Sequence, residues 1–339
     1  MTRLGSVAAL LLPAVLYGVA ACKGQGKSST GGSGENRRAV AVRVPGPDSG
    51  VPDPDPEIVV LSRIAVKTID PSEEPAIELY PRELAQQLGR ALGQSGFFAS
   101  IGDGVPDGHR PRPATLEITI SYEFLDGVNG DGGDKSARGQ RKRQPTAVIA
   151  IESELIWDDG GKDPAPGENI LVERRLSADE RKRAGSLLAV HVAQAMVQVG
   201  RGLVAKERIR VGGVEALGRA LDDSDVDMAL WSLDLIGYRK ELALFDQVVG
   251  NLGSEQHMVR DRSLTALVAM GDPRAVDALA KEASFDDREF LPSVIEAIIA
   301  LGGSDAREYL EFVASGHPDE DIKERAREGL ERLTRRGQK

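Results

Sequence analysis

The chain has a single cysteine among its 339 residues, Cys22, so no disulfide can form within it. Histidine is nearly as scarce. His109, His191, His257 and His317 lie far apart, and none has a metal-ligating spacing such as H-E-x-x-H. No phosphate-binding glycine loop, G-x-S-x-G turn or paired-carboxylate motif stands in a strand–turn–helix setting. The expectation is a protein that is not an enzyme, with no catalytic residue, cofactor or metal site. Aromatic residues make up only 4%, so its cores must be built from Leu, Ile, Val and Ala. Positive charge is short as well. With 53 acidic residues against 43 Lys and Arg, the chain is a poor match for nucleic-acid phosphates.

What is present begins with Leu4–Cys22, LGSVAALLLPAVLYGVAAC, behind Arg3. A basic start, an apolar segment and small residues before a cut site make a secretory signal. A membrane span needs about 20 apolar residues, and Gly5, Pro13 and Gly18 interrupt this run. Its end, Val19-Ala20-Ala21-Cys22, resembles the lipobox of bacterial lipoproteins. That resemblance implies a signal peptide over 1–21, cleaved before Cys22, and lipidation of Cys22 on its sulfur and new amino terminus. One acyl chain holds a protein marginally, whereas several hold it firmly. Lys23 stands where the family's inner-membrane retention signal usually has Asp, so the expected place is the outer membrane, facing the periplasm.

Residues 22–56 are rich in Gly and Ser and then in Pro, a composition that reads as a flexible tether. Residues 57–210 read as an α/β domain. Ile58, Val60, Ile64 and Val66 predict a strand, and Tyr80, Leu84, Leu88 and Leu92 predict a helix with Pro81 in its first turn and Gly96 as its stop. Leu116, Ile118, Ile120, Tyr122 and Phe124 alternate with Thr115, Glu117, Thr119, Ser121 and Glu123. Ala147–Trp157 and Ile170–Leu176 continue the pattern as two more strands. Ser177 with Glu180 predicts a capping box opening a long helix striped by Ala184, Leu188, Val192, Ala195, Val199 and Leu203. Strand–helix–three strands–helix implies a mainly antiparallel sheet with helices on one face. The other face would show Glu117, Glu123, Glu152 and Glu154 to water or to a partner. In element order this is similar to the small α/β modules of bacterial envelope lipoproteins and assembly factors.

Two loops invite sharper readings. Gly127–Asp134 resembles a calcium loop, but Gly127 occupies the first ligand position and Arg138 stands where the closing Glu belongs. A turn between two strands is the plainer reading. Lys135, Arg138, Arg141, Lys142 and Arg143 make a basic loop tip, either a solvated charge run or a contact for anionic lipid or polysaccharide.

Residues 211–335 read as helices only, and they repeat. Leu233–Gly237, Leu267–Gly271 and Ile298–Gly302 align, with glycines 34 and 31 residues apart, and Leu330–Leu333 is a fourth copy without glycine. Ala229, Ser263, Val294 and Ala326 precede the first anchors by four residues. Each glycine is expected to end a helix in a left-handed cap. The run Gly271-Asp-Pro273-Arg-Ala-Val276 resembles the HEAT-like repeats of bacterial proteins. That resemblance implies an all-α HEAT-like superhelical solenoid following the α+β domain and binding protein partners on its concave surface. Lys323–Glu328 is similar to a polar end cap. The expected function is a lipid-anchored cell-envelope adaptor or scaffold. The alternative is a ligand-binding or assembly accessory lipoprotein with its site on the α/β domain.

Overall fold

The computed structural model describes residues 56–69, 79–100, 102, 104–125 and 146–337. Cys22, the signal segment, the tether up to residue 55, the Gly/Asp-rich turn and the basic loop tip lie outside the described residues. The described residues belong to one compact unit holding two hydrophobic cores.

The first core lies beneath a five-stranded sheet. Its strands are β1 (Glu57–Ile69), β2 (Phe98–Ser100), β3 (Arg110–Leu125), β4 (Thr146–Trp157) and β5 (Gly167–Arg175), in the order β2-β1-β3-β4-β5. The β3-β4-β5 part is antiparallel, as the alternation predicts. The expectation of a mainly antiparallel sheet fails at β1, which runs parallel to both neighbours, so the sheet is mixed. The reason is α1 (Pro81–Gly93): it returns the chain across the sheet, so β2 enters in the direction of β1. β2 itself escapes sequence reading, because three residues leave no period-two signal. A register shift between Leu61 and Arg63 inserts a bulge, so Val59 and Leu61 before it and Ile64 and Val66 after it pack on the same core.

Leu116, Ile118 and Ile120 of β3 and Ile149 and Ile151 of β4 are wholly buried beneath the helices. Leu84, Leu88 and Leu92 of α1 cover one part of them, and α3 (Ala184–Val211) covers the rest with Leu188, Val192, Ala195, Val199 and Leu203. On the opposite face Glu123, Glu152 and Glu154 are exposed, and Glu117 is half-buried beneath Lys67 at 3.1 Å. The capping box forms as expected, but it opens only the short α2 (Ala178–Lys182). Arg183 N–H bonds back three residues to Glu180, a tight turn that ends α2 and lets α3 start afresh. Among the described residues α3 is the one helix long and apolar enough to cross a membrane, yet its apolar stripe lies on the sheet.

Eight helices follow: α4 (Gly213–Leu221), α5 (Val226–Arg239), α6 (Phe245–Gly250), α7 (His257–Met270), α8 (Arg274–Glu282), α9 (Leu291–Leu301), α10 (Gly303–Gly316) and α11 (Glu320–Gly337). α5, α7, α9 and α11 pack in succession, and α4, α6, α8 and α10 do likewise. The fold is therefore an α+β part followed by helices. The aligned anchors Leu233, Ile236, Leu267, Met270, Ile298 and Leu333 are buried, as are Ala229, Ser263, Val294 and Ala326. Asp272 accepts the Arg274 N–H at 2.9 Å and its guanidinium at 2.8 Å, and that guanidinium lies 4.2 Å from the Phe245 ring centre. The Gly-Asp-Pro-Arg turn thus fastens α8 to α6.

The glycine expectation holds at Gly271, a left-handed cap at φ 68°, and Gly302 also has positive φ, at 70°. It fails at Gly237, which lies inside α5; Lys240 takes the left-handed cap at φ 57°. Gly237 serves a close crossing instead, since a Cβ there would stand 3.1 Å from Ala266 Cα and 3.3 Å from Ala269 Cβ. Gly237→Val is expected to destabilise the fold by about 1–3 kcal/mol through overpacking. Urea denaturation measures this, and a wild-type midpoint would mean that α5 and α7 separate freely.

Candidate functional site

Lys206, Glu207 and Arg210 are charged, yet all three are buried on the last turns of α3. They persist there because partners from distant elements reach them. Arg210 donates to Glu207 at 2.6 and 2.7 Å and pairs with Glu57 of β1. Arg112 of β3 grips Asp163 with two hydrogen bonds of 2.5 and 2.6 Å. Both guanidiniums face the Trp157 ring, at 3.7 Å for Arg112 and 5.0 Å for Arg210, and Trp157 Nε1 donates to the Asp163 carbonyl. Lys206 donates to the Gly167 carbonyl at 2.6 Å and stands 2.9 Å from Glu168 and 2.6 Å from Asp227.

The electrostatics follow from burial and pairing. Burial raises the Glu57 carboxyl, but hydrogen bonds and charge from Arg210, Arg110 and Arg112 outweigh it and hold Glu57 below the usual range. Burial dominates at Glu207 and Glu168 and pushes both upward against Arg210 and Lys206. The helices join the same cluster: Trp231 Nε1 donates to the Lys206 carbonyl at 2.9 Å, and Arg239 to the Arg210 carbonyl at 2.7 Å. The carboxylates here are engaged by fixed cations, so the arrangement ties β1, β3, α3 and α5 together. Nothing local in the sequence signals it, because Glu57 and Arg210 stand 153 residues apart.

The helices carry a surface cleft as well. A cleft of about 390 Å³ opens between α7 and α9, walled by Leu264, Thr265, Val268, Pro292, Ala297 and Ala300. Ion pairs bracket it. Arg262 reaches Asp234 of α5 at 2.6 Å on one side, and Arg332 and Arg325 of α11 reach Glu296 at 2.8 and 3.5 Å on the other. The cleft is thus mostly apolar, with the Glu296–Arg325 pair on its α11 side.

The residues singled out by sequence are not gathered into a centre. Cys22 lies outside the described residues. Arg174 donates to His191 Nε2 at 2.8 Å beside α3. His317 is buried at the α10–α11 turn, where its Nδ1 accepts the Asp319 N–H at 3.0 Å and its Nε2 faces the Phe285 carbonyl at 3.2 Å. His109 stands in the turn before β3, and His257 opens α7. Among the described residues no group of three His, Cys, Asp or Glu is arranged to hold a metal ion. Compared with known proteins, the chain matches no protein-family model and no curated sequence.

Proposed function

We propose that the chain is a lipid-anchored adaptor of the bacterial cell envelope, held at the outer membrane through Cys22, and that α4–α11 form a HEAT-like solenoid that binds a protein partner. The carrying observation is the apolar cleft between α7 and α9, open to solvent and bracketed by ion pairs. A helix pair cannot bury its own apolar stripe, so pairs stack, and their shared surface supplies a long recognition face. A second reading, an accessory protein with its site on the α/β part, draws support from a groove beside β1.

The test is affinity capture from cross-linked membranes with the full chain and with Val268→Glu/Ala300→Glu. Ala300 is exposed and Val268 is half-buried against the edge of the core, so with wild-type far-UV ellipticity as the check on folding, the partner captured by the variant should fall about tenfold or more. Equal capture by both proteins would remove the cleft from the function. Cys22→Ser is expected to move the protein from the membrane to the soluble fraction; unchanged membrane retention counts against the lipid anchor.

A further inference from the structure

β1 has unequal flanks. Toward β3 it pairs from Glu57 to Ile69. Toward β2 it pairs only at Val59, Val60 and Leu61. Pairing stops where the bulge lies, and Ser62 is fixed there by hydrogen bonds to the Ala114 carbonyl at 3.1 Å and to Asp158 at 2.5 Å. Among the described residues, no strand pairs with 62–69 on that side. Backbone N–H and C=O groups alternate along a strand edge, and an unpaired row of them is a template for another strand.

The space that such a strand would enter is already shaped. A groove of about 680 Å³ runs between β1 and α1, with Leu61 and Ile64 contributed by the strand and Gly89 and Arg90 by the helix. A Cβ at Gly89 would stand 3.1 Å from Ile64 Cδ1, so at this point the glycine keeps the helix close to the strand. The charge of the groove runs against that of the chain. In a protein of net charge −10, the charged residues that line it among the described residues are Arg63 and Arg90, with no carboxylate. Arg63 is 65% exposed and reaches Glu117 only at 3.9 Å, and Arg90 makes no ion pair among the described residues.

We propose that this groove receives an extended acidic peptide segment of a partner protein, which adds to β1 as an edge strand and sets a carboxylate against Arg90. The two contributions are of different kinds. Main-chain hydrogen bonds along 62–69 supply affinity without regard to sequence, and alternate side chains of the peptide enter the groove over Ile64. Exposed arginines are weak ion-pair partners in water, so they select an acidic peptide over a basic one rather than hold an anion alone. A small anion or lipid headgroup would meet the arginines but leave the strand edge unused. The site gives the accessory reading a class of partner and stands apart from the α7–α9 cleft.

The test uses the full chain in detergent with two synthetic peptides as long as the 62–69 edge, alternating valine with glutamate or valine with lysine. Fluorescence anisotropy should show the glutamate peptide binding about tenfold more tightly or better, with Arg90→Glu reversing the preference. N-methylation of alternate peptide residues should abolish binding, and hydrogen exchange at the amides of 62–69 that face away from β3 should slow only when peptide is bound. The proposal is overturned by equal affinity for the two peptides, by binding of neither, by binding that survives N-methylation, or by protection in the free chain of the 62–69 amides that face away from β3. Val268→Glu should leave peptide binding unchanged, which separates this site from the cleft on the helices.

Discussion

Arg210→Ala is expected to lower the unfolding free energy by about 3–5 kcal/mol near neutral pH, because it leaves the buried Glu207 without its cation and weakens the pairing of Glu57. Glu207 is fully buried, and Glu57 is 14% exposed at its side chain. Removing the guanidinium also uncovers one side of the Trp157 ring. The size of the loss depends on pH in a direction that the two carboxyls fix. Glu57 is held below its ordinary range, so its pairing contributes stability above the unfolded-state pKa and loses that contribution as pH falls through the folded value. Glu207 is pushed upward, so the fold disfavours its charge, and the penalty disappears once it is protonated. Without Arg210 that penalty grows at neutral pH, while the Glu57 contribution shrinks to what Arg110 and Arg112 supply. Both effects narrow the gap between variant and wild type as pH is lowered from about 7 toward about 4. Urea denaturation of both proteins across that range measures it. A gap that stays constant or widens toward acid would mean that Arg210 acts through packing alone.

The sheet was legible where burial writes a period of two. β3 and β4 alternate cleanly because one face meets α1 and α3 and the other meets water. β1 was legible as a strand but not in its direction, because direction belongs to the α1 connection, not to the residues of β1. Its bulge also reverses the parity of Ile64 and Val66 relative to Val59 and Leu61, so the apolar residues do not follow one alternation. The burial of aligned positions such as Leu267 and Ile298 was legible from their spacing, although Leu301 and Leu330 of the same alignment are only half-buried. Glycine misled at Gly237, because one residue type serves both a left-handed cap and a close helix crossing. The junction of Glu57, Arg112, Glu207 and Arg210 left no local trace. Charged residues on an apolar helix read as solvated until their distant partners are known. The β1 groove depends on where β2 stops, and three residues of β2 could not reveal that.

Trp231→Ala is expected to cost about 3–5 kcal/mol, the usual range for truncating a buried large aromatic. Its ring is 7% exposed on α5, and its Nε1 donates to the Lys206 carbonyl of α3, so it joins the core of the helices to the element that covers the sheet. Arg239 makes the other hydrogen bond of this seam, to the Arg210 carbonyl, and Lys206 pairs with Asp227 across it. The loss should therefore appear as reduced coupling between two cores as well as reduced stability. The chain has two tryptophans, so the variant keeps only Trp157, whose ring lies in the core beneath the sheet. Trp157 fluorescence then reports that core, while far-UV ellipticity is dominated by the helices. In the wild type the two signals should share one denaturation midpoint, the mark of a cooperative unit. In Trp231→Ala they should separate, with ellipticity falling first, because α4–α11 lose their anchor on α3. Coincident midpoints in the variant would show that the ionic junction alone couples the cores, and the tie between the helices and α3 would then rest on Arg239 and Lys206.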